Sequence, residues 1–217
     1  MKKAYSLSVS LILLLIIYIA CNKNDDTSQS NERLNAIEAK AATASTVFNE
    51  NIGAPVLRKD AEKWIQRYQS ASIAVNKVYT IKSAYIKQMV LENKLACIAL
   101  YIVNTANGVD IIPIGVTAEG HLLKDGPLTT ATGMVLSWEE AKQLREAYTG
   151  TTKALVFGIK TFKRLIVDQH ADKILLQFGV NDSNQTVIVL SDAENLTSEY
   201  VEDESRRCPE FCPTEEI

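Results

Sequence analysis

Residues 60–70 read DAEKWIQRYQS and residues 139–150 read EEAKQLREAYTG. The likeness between these two stretches decides the fold. In the first, Ala61, Trp64, Ile65 and Tyr68 lie at the spacing of one helix face. In the second, Ala141, Leu144 and Tyr148 repeat that face, Ala141 answering to Ala61 and Tyr148 to Tyr68. The second stretch follows Ser137-Trp138-Glu139-Glu140, a capping box. The Ser137 hydroxyl accepts from the amide three residues on, and Glu140 reaches back to the Ser137 amide.

Outward from these helices the likeness continues in the same order. VYTIKSAYI (78–86) answers to VFGIKTFKR (156–164), CIALYI (97–102) to KILLQF (173–178), and VDIIPIGVTAEG (109–120) to TVIVLSDAEN (186–195). A repeat of apolar positions through four elements reads as an internal duplication. Ile81, Ala84, Tyr85 and Met89, matched by Ile159, Phe162 and Ile166, predict a second helix in each half. Residues 95–103 predict a strand with both faces apolar, as in a sheet covered on two sides. Ile174, Leu176, Phe178 and Val180 alternate with Lys173 and Gln177 in its counterpart. Polar turns at 104–108 and 181–185 lead into return strands, and Pro113 places the first return strand at a sheet edge or a bulge. The predicted fold is α+β: two repeats of helix–helix–β-hairpin sharing one antiparallel sheet of about four strands, with helices packed on it.

The chain opens MKKAYSLSVSLILLLIIYIAC. Lys2 and Lys3 precede an apolar run too short for a bilayer span, which needs about 20 residues, but suited to a secretory signal. Ile19-Ala20-Cys21 reads as a lipobox, with Cys21 the lipidation site, and two or three acyl chains hold a protein firmly at a membrane. The expected organisation is a signal peptide at 1–20, a polar tether with a loose helix at 21–55, repeat 1 at 56–123, a connection at 124–134, repeat 2 at 135–197, and an acidic tail with Cys-x3-Cys at 198–217. Residues 1–20 hold two lysines and no acids, so the chain from Cys21 carries 21 basic and 26 acidic side chains. That balance, with no basic run, argues against a nucleic-acid partner.

The relaxed lipobox followed by Asn22-Lys23-Asn24-Asp25-Asp26 resembles Bacteroidota-type lipoproteins. The repeat unit with Ala96-Cys97, the turn Gly115-Val116-Thr117-Ala118-Glu119-Gly120 and the tail Cys208-Pro209-Glu210-Phe211-Cys212 is similar to lipoproteins of that group. Thr117 stands where the pattern has an acidic residue. The resemblance implies a lipid anchor at the outer membrane, exposed at the cell surface or on the periplasmic face, and no reaction.

Beyond Cys21 the cysteines are Cys97, Cys208 and Cys212. Cys208 and Cys212 read as a small disulfide loop in an oxidising compartment. The rival reading is two thiolates of a metal site with His121 or His170, although zinc needs about four ligands. Cys97 with His121 or His170 is a candidate thiol nucleophile and base; the alternative is a small buried strand residue. The acidic run 199–204, EYVEDE, reads as a solvated segment, and a catalytic carboxylate pair would be spatial and invisible in sequence. Trp64 reads as core and Trp138 as packing at a helix start. No nucleotide, zinc-protease or nucleophile-elbow motif is present, and no cofactor is called for. The expected function is a non-catalytic binding module for a protein or glycan, held at the membrane by lipid. The alternative is an envelope hydrolase using Cys97 or a carboxylate pair.

Overall fold

Two antiparallel sheets share one apolar core. The computed structural model describes residues 48–71, 78–91, 94–203, 205–208, 212–213 and 217; the signal, Cys21 and nearly all of the expected tether lie outside them. In chain order the elements are β1 (Ala54–Leu57), α1 (Arg58–Ser70), β2 (Val78–Lys82), α2 (Ser83–Leu91), β3 (Leu95–Thr105) and β4 (Gly108–Thr117). After them come β5 (Leu128–Thr129), β6 (Val135–Leu136), α3 (Trp138–Glu146), β7 (Ala154–Gly158) and α4 (Ile159–Lys163), which widens into a π-helical turn (Arg164–Asp168). The chain closes with β8 (Lys173–Val180), β9 (Thr186–Asp192), β10 (Tyr200–Asp203) and β11 (Arg206–Cys208).

The single shared sheet expected from the sequence is replaced by a five-stranded sheet in the order β1-β10-β9-β8-β2, a four-stranded sheet in the order β11-β7-β3-β4, and a small β5-β6 ribbon. The expected helix–helix–hairpin unit is also corrected. Residues 78–82, which include Ile81 of the expected second helix, form a strand, and residues 154–158, which precede Ile159 of its counterpart, form another. VYTIK alternates exposed and buried, so the β-branched and aromatic residues at 78–81 prevail over the helical spacing of Ile81 with Ala84 and Tyr85. The order helix–strand–helix–strand–strand therefore occurs twice. Ala54 and Pro55, assigned to the tether and its loop, begin β1, and the tail residues 200–203 and 206–208 are strands that join the two sheets.

The pairing crosses between the halves of the chain. β2 pairs with β8, Tyr79 opposite Leu176 and Ile81 opposite Ile174. β7 pairs with β3, Leu155 opposite Leu100 and Phe157 opposite Ile98. The helices cross likewise, α1 packing on β8 and α3 on β3. The central core combines Ile98, Leu100 and Ile102 of β3 with Ile174, Leu176 and Phe178 of β8, and adds Ile86 of α2 and Phe162 of α4. Each such side chain stabilises by about 1.5–3 kcal/mol on burial, so this shared core dominates the energetics.

The intervening residues of β3, Cys97, Ala99, Tyr101 and Val103, enter a second cluster on the opposite face, covered by α3, Leu122, Leu128, Leu136 and Ile217. β3 is thus apolar on both faces, as the sequence predicts. β4 is an edge strand, which accommodates Pro113 without loss of a ladder donor. The Ser137–Glu140 capping box is formed, the Ser137 amide donating to Oε2 at 2.7 Å and the Glu140 amide to the Ser137 hydroxyl at 3.2 Å.

Where residues 49–52 cross the end of β7, the Gly158 amide donates to the Ile52 carbonyl at 2.6 Å. A Cβ on Gly158 would lie 2.4 Å from the Glu50 carbonyl oxygen, and backbone in a packed crossing has little room to retreat. Gly158→Ala is expected to destabilise the fold by about 1–3 kcal/mol, read as a lowered denaturant midpoint at unchanged slope.

Candidate functional site

The five-stranded sheet has an outer face that α1 covers only in part. Ala61 packs on Val189 and Val201, with Val56, Trp64 and Ile65 around them. Because Ile174, Leu176 and Phe178 face the core, the period of β8 turns Leu175 and Gln177 outward. They form the floor of a groove with Val189, Ser191 and Val201. Arg58, Glu62, Gln66 and Gln69, one stripe along α1, form its wall, and Leu196 stands opposite. The groove encloses about 350 Å³, at the lower end of the range for small-ligand clefts, about 300–1,000 Å³.

Helix α1, the wall of this groove, is pinned at two places. The Arg58 amide donates to the Glu199 carbonyl at 2.8 Å, and its Nε donates to the Ser198 carbonyl at 2.5 Å, so the loop bearing Leu196 is tied to the start of α1. On the side of α1 away from the groove Asp182, in the β8–β9 turn, accepts from Arg67 Nη2 at 2.7 Å and from Trp64 Nε1 at 3.3 Å. Arg67, the larger influence, and Trp64 hold the Asp182 carboxyl below the usual range. The amides of Gln66, Gln69 and Gln177 each offer donor and acceptor over an apolar floor. That set can read hydroxyls or amides of a ligand.

The sequence candidates for chemistry do not assemble. Cys97 is fully buried. Its thiol donates to the Asn49 carbonyl at 3.2 Å, and burial pushes it up to about 12 despite the opposing influence of the Asn49 backbone and of Arg206. An activated nucleophile needs the opposite shift. His121 follows β4 and His170 precedes β8, both exposed. Cys208 and Cys212 are joined in a disulfide, which removes them as metal ligands. Among the described residues no three His, Cys, Asp or Glu gather as a metal site. Cys21 lies outside those residues, and no described helix is long and apolar enough to cross a membrane.

The acidic run is corrected as well. Val201, Glu202 and Asp203 are buried in β10. Glu202 is 2% exposed and is held by a two-pronged Arg164, Nε to Oε1 at 2.8 Å and Nη2 to Oε2 at 2.5 Å. That bond raises the Arg164 pKa further. Asp110, equally buried, accepts from the Ile111 amide at 2.8 Å and from the Thr132 hydroxyl. Glu202 and Asp110 are therefore structural acceptors rather than a free catalytic pair. Sequence reasoning missed the groove residues; the one signal was Gln177, a polar residue on the outward side of an apolar strand.

Comparison with protein-family models, with curated proteins and with solved structures gives no match, so the site is read from its own residues.

Two outcomes follow from these buried groups. Arg164→Met, which leaves Glu202 buried and unpaired, is expected to destabilise by about 2–4 kcal/mol, reduced from a fully buried case by the partial exposure of the guanidinium. Arg164→Met/Glu202→Met is expected to recover part of that loss in denaturant titrations. Cys97 keeps its proton in the folded state above its ordinary value of 9.0. Its contribution is therefore complete below about pH 9 and lost as pH rises towards about 12. Cys97→Ala is expected to flatten the fall in stability measured from neutral pH through that window.

Proposed function

We propose that the chain is a lipoprotein tethered through Cys21 and exposed at the cell surface, and that its domain is a non-catalytic binding module. The ligand site is the groove between α1 and the outer face of the five-stranded sheet. One observation carries this reading: the corresponding face of the four-stranded sheet is sealed by α3, Leu122, Leu128, Leu136 and Ile217, whereas this face is left as a cleft lined by glutamines. The partner is a protein or glycan whose amides or hydroxyls the glutamines read. The burial and raised pKa of Cys97 support binding over thiol hydrolysis.

The architecture behind the site is, in this reading, a duplication. What supports it is the twofold recurrence of helix–strand–helix–strand–strand and the reciprocal pairing of β2 with β8 and of β7 with β3. Tyr68 and Tyr148, matched in sequence, both pack against the shared core.

The test uses the folded chain from residue 21 against glycan arrays and peptide libraries. Gln66→Arg and Gln177→Arg, both on the groove surface, are expected to weaken the best binder at least about tenfold, a loss of about 1.4 kcal/mol, with unfolding midpoints unchanged. Binders indifferent to both changes, or turnover of the bound compound, would overturn the assignment. Intact mass of the membrane-extracted protein is expected to show acyl chains on Cys21; a chain retaining residues 1–20 without lipid would refute the anchor.

A further inference from the structure

We propose that β2 is a self-association edge, through which two copies of the chain join their five-stranded sheets into one continuous sheet. The proposal is independent of what fills the groove.

The argument begins with the ladder. The Ser83 amide donates to the Asp172 carbonyl at 2.9 Å, so this pair, and in alternation Ile81–Ile174 and Tyr79–Leu176, are the bonded pairs between β2 and β8. Val78, Thr80 and Lys82 therefore aim their amides and carbonyls away from β8. Among the described residues no strand lies on that side. Their side chains are exposed, and Val78 is 51% exposed.

The other sheet edges are blunted. β1 carries Pro55. β4 carries Pro113 and is bonded on its outer side by the Leu123 amide to the Gly115 carbonyl and the Ala131 amide to the Ile111 carbonyl. β11 has three residues and ends at a disulfide. β2 alone among them has neither proline nor cover, and exposed edges of that kind invite pairing.

The corresponding position in the other sheet is filled. β7, followed by α4 as β2 is followed by α2, carries β11 antiparallel on the side away from β3. A strand on that side of β7 is thus compatible with the neighbouring helix, and among the described residues none fills the same place beside β2.

A second copy suits the place. Antiparallel pairing centred on Thr80 sets Thr80 against Thr80 of the partner copy and Val78 against Lys82, with no like charges opposed. Threonine–threonine pairs are favourable across strands. The twofold axis then stands perpendicular to the sheet and brings both grooves to one side, giving a bivalent surface for a repetitive ligand.

The experiment uses the chain from residue 21 with Cys21→Ser, unlipidated. Thr80→Cys places two thiols on the axis with Cα atoms about 5.5 Å apart, within disulfide reach. Lys82→Cys places them about 13 Å apart along the strands. Under mild oxidation Thr80→Cys is expected to give covalent dimer on the order of a hundredfold faster than Lys82→Cys, while Val78→Cys mixed with Lys82→Cys cross-links efficiently. Thr80→Lys, a change at an exposed side chain, is expected to abolish the dimer in sedimentation equilibrium while leaving thermal unfolding unchanged at concentrations dilute enough for the parent to be monomeric. Equal cross-linking at 80 and 82, a dimer indifferent to Thr80→Lys, or a parent chain monomeric at every concentration would each overturn the proposal. None of these results would bear on ligand binding by the groove variants.

Discussion

β2 pairs with β8, and β7 with β3, so each hairpin receives a further strand from the other half of the chain. A two-stranded hairpin is marginal in water; β3–β4 would be no more than that without β7, whereas β8–β9 is also extended by β10 on its other side. Tyr79 and Ile81 from one crossing strand, and Leu155 and Phe157 from the other, enter the same core as the hairpins they complete. The core is therefore built from contacts distant in sequence, whose loop-closure entropy must be met before the apolar burial that rewards it. The helices follow this pairing: α1 packs on β8, the strand with which the next element, β2, pairs, and the groove is what α1 leaves uncovered.

The sequence made the periodic parts of this arrangement legible. The helix faces of Ala61–Tyr68 and Ala141–Tyr148, the doubly apolar β3, the alternation in β8 and the edge position of Pro113 all follow from period and composition. Two features did not. VYTIK is five residues long, and its Ile81 also fits a helical stripe with Ala84 and Tyr85; only the ladder with β8 decides in favour of strand. The exchange between halves leaves no local trace, because a strand reads the same whichever hairpin it joins. The groove was illegible for a related reason: Gln66, Gln69 and Gln177 look like ordinary surface residues until the sheet brings them together.

EYVEDE was misread for a physical reason too. A run of acids ordinarily stays in water because a buried carboxylate is costly. Here Arg164 reaches Glu202 with both prongs of its guanidinium, offsetting that cost. Buried ion pairs of this kind add little net stability, but they discriminate among arrangements. Shifting β10 by one residue along β9 would turn Glu202 to the opposite face and leave its carboxylate unmatched. The pair thus fixes the register in which Val201 meets Ala61 beneath α1, and so sets the floor of the groove.

The two sheets share a framework but are finished differently, and the segment after each hairpin explains why. Beyond β4 the chain runs for some twenty residues before α3, bearing Leu122, Leu128 and Leu136, and these fold back over the outer face of the four-stranded sheet. Beyond β9 only residues 193–199 precede β10, and the one large apolar side chain among them, Leu196, stays 57% exposed. A segment that short, pinned at Arg58, can wall a cleft but cannot roof it. The helices differ in the same sense: where α1 has Gln66 and Gln69 along the open side, Glu146 and Thr149, aligned with them in sequence, lie at and beyond the end of α3. One outer face is thus core, and the other is a groove whose lining includes the polar side chains of Gln66, Gln69 and Gln177.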